Sequence, residues 1–158
     1  GPIAIGFTFN IYGRNQTQVY IGSNGTLSFG SDGGQVCCSG QRLPTGYGNL
    51  ELQPVIAGYW GDINGNNVAR KTVGSAGSRR LTHQPPGSEY PAQHTVRFQV
   101  VLHEGSNRIQ VNYQDVRYLS HSLSVGIQRD AGLATQAYFY ASGQVPRWQN
   151  FAIRFVPR

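Results

Sequence analysis

Charge is scarce in this chain. Only 13% of its 158 residues are Asp, Glu, Lys or Arg, and Lys71 is the sole lysine, too little to solvate the outer faces of long amphipathic helices. No run approaches the ~18–20 apolar residues of a membrane-spanning helix, so membrane insertion is not expected. Methionine is absent. With no initiator residue and no signal sequence, Gly1-Pro2 reads as the start of an excised piece or as a cloning remnant. Cysteine is confined to the neighbours Cys37 and Cys38, which cannot form an ordinary loop-closing staple.

Present instead are 21 glycines, 8 prolines and 11% aromatic residues, which suits short strands, tight turns and a core filled by rings. Residues 95–113 carry the sharpest alternation. Val96, Phe98, Val100 and Leu102 alternate with Arg97, Gln99 and His103; then, beyond the polar break Glu104-Gly105-Ser106-Asn107, Ile109, Val111 and Tyr113 alternate with Arg108, Gln110 and Asn112. A period of two places one apolar and one polar face on each strand, and a Gly-containing break makes a hairpin. Earlier, Ile5, Phe7, Phe9 and Ile11 alternate with Thr8 and Asn10. Asn24-Gly25 separates Val19 and Ile21 from Leu27 and Phe29, the favoured dipeptide of a two-residue type I′ turn.

Residues 30–52 form the longest irregular stretch, and residues 54–60 a nearly all-apolar run, read as a central strand covered on both sides. Residues 61–67 read as a turn, 68–72 as a short strand, 75–83 as an edge strand, and 84–93, with Pro85, Pro86 and Pro91, as loop. Leu123, Val125 and Ile127 alternate with Ser122, Ser124, Gly126 and Gln128; residues 138–141 and 151–156 supply the last strands, with Phe151, Ile153 and Phe155 facing in. The expectation is one all-β domain over residues 1–158, an antiparallel β-sandwich of roughly ten strands with long loops.

Three stretches in this order resemble a known family: I-G-F-T-F-N-I-Y-G with V-Y-I-G-S-N-G-T-L-S-F-G, then P-V-I-A-G-Y-W-G-D-I, then F-Q-V-V-L-H-E-G-S-N-R-I-Q-V-N-Y-Q-D-V with S-V-G-I-Q. The resemblance is to the nidogen-like (NIDO-related) extracellular module of secreted and cell-surface proteins, over nearly the whole chain. It departs where the proline usual before the tryptophan is replaced by Gly58-Tyr59. The resemblance implies an extracellular β-sandwich in adhesion, matrix or surface architecture, without enzymatic activity.

The residues themselves offer little chemistry. The seven carboxylates are widely spread; His83, His94, His103 and His121 lack a metal-ligand spacing, and no G-x-S-x-G nucleophile elbow occurs. No enzyme and no cofactor are expected. Asp62, Asn64 and Asn66 alternate as in a calcium loop, yet the closing bidentate Glu is missing, and Asp62 capping its own turn is the other reading. Cys37 and Cys38 leave three states open: a vicinal disulfide, free thiols, or pairing between molecules. Tyr47, Tyr59, Trp60, Tyr90, Tyr118 and Trp148 are the candidate ligand contacts, since aromatic faces beside Asn, Gln and Arg can stack on sugar rings. The sequons at Asn15 and Asn24 depend on the host.

Net charge is +6 and pI ≈ 9.7, but the arginines are scattered, with only Arg70-Lys71 and Arg79-Arg80 adjacent, and no nucleic-acid motif accompanies them. Dispersed solvated cations, or a weakly anion-attracting surface, are the two readings. The partners expected are therefore extracellular proteins or glycans, or copies of the chain itself joined through exposed strand edges, not nucleic acid.

Overall fold

The alternation over residues 95–113 folds as read. In the computed structural model, which describes residues 1–30, 37–46, 53–64, 68–84, 86–91, 94–118, 121–129, 135–142 and 145–157, strands β9 (Thr95–His103) and β10 (Ile109–Tyr118) pair antiparallel, with Tyr113 opposite Phe98, Val111 opposite Val100 and Ile109 opposite Leu102. These side chains are all buried. Around this hairpin the chain adds β1 (Ile3–Ile11), β2 (Arg14–Ile21), β3 (Thr26–Ser28), β4 (Val55–Trp60), β5 (Ile63–Asn64), β6 (Ala69–Val73), β7 (Arg80–Gln84), β8 (Pro86–Glu89), β11 (Ser122–Gln128), β12 (Thr135–Ser142) and β13 (Val145–Phe155). No helix is present among the described residues.

The strands make two antiparallel sheets, a β-sandwich. The first runs β1-β2-β3-β4-β11-β12; the second runs β13-β10-β9-β7-β6, with β8 beside the first half of β9 and β5 beside β8. Ile5, Phe9 and Leu27 of the first sheet meet Phe98, Val111 and Tyr113 of the second in one core. At one flank Thr72 Oγ1 of β6 donates to the Ile5 carbonyl of β1 (2.8 Å). At the other, β12 and β13 approach each other through ring contacts, Phe139 on Trp148 and Tyr138 on Phe151.

The central strand β4 is buried at every residue, as its apolar run implies, because each of its faces has its own cover. A bulge opposite Ser124 and Gly126 of β11 shifts its alternation. Ile56 and Tyr59 therefore enter the main core, while Val55, Ala57 and Trp60 point outward beneath Leu43. Leu43 belongs to a strap, residues 39–46, lying across the outside of the first sheet. Gly40 N–H donates to the Ser122 carbonyl, Ser124 Oγ to the Gln41 carbonyl, Thr45 N–H to Gln128 Oε1, and Gln128 Nε2 to the Thr45 carbonyl. The polar alternates of β11 thus anchor the strap instead of facing water. Truncating Leu43 to Ala opens a hole above Trp60, with an expected loss of about 2–3 kcal/mol in a denaturant melt; a loss under about 0.5 kcal/mol would mean that the strap does not seal the sheet.

Several expectations are corrected. Asn24-Gly25 does not form a two-residue type I′ turn: Gly22 N–H donates to the Thr26 carbonyl around a longer loop, and only Gly25 takes a positive φ, of 80°. Asn24 is used otherwise, its Oδ1 accepting the Ile63 N–H at 3.0 Å. Residues 63–64 are consequently held as β5 within the stretch read as a turn. Residues 86–89, read as loop, form β8, since Pro86 takes the first strand position, where a missing N–H does no harm. The strand read as an edge, β7, lies inside β6. Phe151 does face in, stacked on Tyr113, but at the flank of the sandwich it stays 36% exposed.

Candidate functional site

The two outer faces of the sandwich differ. The strap covers the centre of the first sheet's outer face, over β4 and β11. On the second sheet, the residues alternating with the core positions stand outward in registered rows. Lys71, Thr82, Val101, Gln110 and Arg154 lie side by side across β6, β7, β9, β10 and β13. The next row places Val73, Arg80 and His103 together, with Arg108 bonded to His103 through its carbonyl. On the other side come Gln99, Asn112 and Ala152, and beyond them Arg97. With strands about 4.8 Å apart, the face is about 19 Å wide.

Its polar groups are ordered. Arg154 Nε donates to Gln110 Oε1 (3.1 Å), Gln110 Nε2 to Asn112 Oδ1 (2.6 Å), and Asn112 Nδ2 to Gln99 Oε1 (3.2 Å). This chain of amides crosses three strands. Where β10 bulges between Tyr113 and Asp115, the face sinks into a depression of about 310 Å³, lined by Gln84, Arg97, Gln99, Asn112, Gln114 and Asn150, with Phe151 at its rim. Asn150 adopts φ 50°, a left-handed conformation that asparagine tolerates better than most residues.

The electrostatics of the face are one-sided. Lys71, Arg80, Arg97, Arg108 and Arg154 are exposed, and among the described outward residues Asp115, the cross-strand partner of Arg97, is the one carboxylate. Partial burial lowers the pKa of His103 from its ordinary value, and Arg108, Arg80 and Arg154 lower it further. The acids nearby, Glu104 at the margin and Asp115 opposite Arg97, are each bonded to a further arginine. Glu104 accepts from Arg79 through both oxygens, and this bonding holds its carboxyl down to about 2. Asp115 does the same with Arg147, at 2.7 Å for each bond, and its pKa is likewise lowered.

The candidate contacts named from sequence do not come together. Tyr59 and Trp60 are fully buried, Tyr59 stacked on Phe98 and Trp60 under the strap; as core residues they offer no face to a ligand. Trp148 is half-buried and edges onto Tyr113 and Phe139. Tyr90 is exposed (51%). Tyr47 and Asn66 lie outside the described residues, as does the side chain of Tyr118. Asp62 and Asn64 flank Ile63, whose N–H is bonded to Asn24. Among the described residues no three His, Cys, Asp or Glu gather as a metal site. Cys37 and Cys38 are paired with each other at the head of the strap. Asn24 is buried and already bonded, closed to glycosylation, whereas Asn15 is exposed.

Sequence reasoning missed the outer face of the second sheet, although its signal was present: Arg97 and Gln99 alternate with the core residues of β9, and Arg108, Gln110 and Asn112 with those of β10. A second depression, of about 390 Å³, lies between Tyr12, Asn107, Ile127, Gln136 and Val156; burial raises the Tyr12 phenol there to about 12.

No helix among the described residues is long and apolar enough to cross a membrane. In comparisons with known proteins, the sequence model of a family described as NIDO related matches residues 1–152. No curated protein and no solved structure matches the chain.

Proposed function

The chain belongs to the NIDO-related family, and from that premise we propose that it is a non-enzymatic module of extracellular type, acting in adhesion or matrix architecture by presenting a rigid surface to a protein or glycan. One observation carries this reading. The sandwich covers the centre of one outer face, over β4 and β11, with a strap and leaves the other open, with its amides and arginines aligned on paired strands. Side chains held on strands are positioned more firmly than side chains on loops, so the working surface is assigned to the open sheet face instead of the loops.

Two features support binding over catalysis. The half-buried acids Glu104 and Asp115 are each held ionised by an arginine, which removes them as proton donors near neutral pH. His83 is fully buried, out of reach of any substrate. Assembly through edge strands is the weaker reading, because β6 lies against β1 at one flank and β12 against β13 at the other.

The test is solid-phase binding of the chain to a panel of extracellular matrix proteins and to a glycan array. Saturable binding to at least one partner is expected, weakened at least tenfold by Gln99→Ala with Asn112→Ala. Binding unaffected by that pair would move the contact surface elsewhere, and growth into polymers on sedimentation would favour assembly.

A further inference from the structure

The cations of the open face are not the scattered, solvated charges that their sequence positions imply. Strand pairing brings Arg80, Arg97, Arg108, Arg154 and Lys71 onto one surface; Glu104 is bound by Arg79 at its margin, and Asp115, opposite Arg97, spends both oxygens on Arg147. An ordinary solvated face mixes charges of both signs, because like charges left together repel. Here five cations face a single carboxylate, Asp115, that is already bonded to a sixth, Arg147, so the face keeps an excess of positive charge complementary to an external polyanion.

We propose that the outer face of the second sheet binds an acidic polysaccharide, with Arg80, Arg97, Arg108 and Arg154 pairing its carboxylate or sulfate groups and Gln99 and Asn112 meeting its hydroxyls. This names a partner class for the contact surface proposed above and rests on that reading. Guanidinium forks match carboxylate and sulfate in a two-bond geometry. Any one exposed pair contributes little, but a polymer with an anion on each repeat engages several at once, as linked sites do. The face is shaped for such a chain: it is open, about 19 Å across, and sinks at the β10 bulge into the depression between Arg97 and Asn112.

The amides decide between polyanions. Gln99, Gln110 and Asn112 form a row of neutral planar groups between the arginines, suited to hydroxyls on a sugar ring. Single-stranded nucleic acid is instead held by aromatic platforms on which bases stack, and the central outward positions are Thr82, Val101, Gln99 and Asn112, none of them aromatic. Duplex DNA is read by an element that enters a groove, and the described residues of this face lie on paired strands.

The test titrates the purified chain with heparin, polygalacturonate, neutral dextran, and single-stranded and duplex DNA, in 50 and 200 mM NaCl. Binding to heparin or polygalacturonate but not dextran is expected, weakening at least about fivefold between the two salts, as charge-driven association does. Arg108→Gln and Arg154→Gln should each lower affinity at least threefold. Arg14→Gln, which removes the same charge from the first sheet, should leave it within twofold, and Gln99→Ala should weaken glycan binding without affecting DNA. These positions are exposed or half-exposed, and unchanged thermal melts verify that the variants fold. Three results overturn the inference: DNA bound as tightly as the glycans, Arg14→Gln as damaging as Arg108→Gln, or no acidic glycan bound at 50 mM salt. If matrix-protein binding persists in any of these cases, the module reading survives without its glycan.

Discussion

Replacing Gly25 with alanine is expected to destabilise the protein by about 3–5 kcal/mol, the range reached when strain and a clash with rigid neighbours coincide. Gly25 has φ 80°, where a Cβ meets its own backbone. That Cβ would also overlap the carbonyl oxygen of Tyr59 and press on the Phe98 ring. Neither neighbour can move cheaply. The Gly25 carbonyl accepts the N–H groups of both Gly58 and Tyr59, which fixes the turn against β4, and Phe98 sits between Tyr59 and Tyr113 in the core. Gly77→Ala is the control, since Gly77 has φ 87° but nothing within 4 Å of an added Cβ; it should cost about 1–2 kcal/mol, strain alone. Thermal melts measure both, and near-equal losses would mean that the β4 contact yields.

Acidification should produce the second large effect. His83 on β7 is fully buried between its strand partners Arg70 and Val100, and neither ring nitrogen has a hydrogen-bond partner among the described residues. Burial lowers its pKa from 6.5 to about 4, because a charged imidazolium has nothing there to replace water. The unfolded chain therefore binds the proton first as pH falls. The stabilisation from keeping this ring neutral is complete above about pH 6.5 and is lost as pH drops towards 4, a change of about 3 kcal/mol. Glu104 and Asp115, whose pKa values are depressed, add a loss of the same sign at lower pH. In denaturant melts from pH 7 to pH 4, His83→Leu should flatten the upper part of this profile. An unchanged slope in the variant would place the acid sensitivity elsewhere.

What could be read in the sequence was whatever depended on a period of two. Ile5, Phe7, Phe9 and Ile11 are buried as read, as are Val96, Phe98, Val100 and Leu102, because alternation along one strand is a local property. The contact surface depends on how strands are ordered. Arg80 and Arg154 are neighbours on one face only because β7, β9, β10 and β13 lie in that order, which no local pattern encodes. Tyr59 and Trp60 were misplaced for a related reason: in a run apolar on both sides, nothing marks the bulge that sends one ring into the main core and the other under the strap. Ser124 and Gln128 looked solvent-facing because their partners lie about eighty residues away in the strap. β5 and β8 were hidden by prolines and asparagines that normally announce turns.

The strap gives the molecule two tiers of opening. It is fastened from outside the first sheet, so its hydrogen bonds to β11 can break while the core between the sheets stays packed. A brief detachment would bare Trp60 to solvent and expose residues 39–46 to a protease, well below the cost of global unfolding. Amide exchange in this segment should therefore respond to mild denaturant before the amides of β9 and β10 do. The opposite face, with no such cover to lose, remains the same surface throughout.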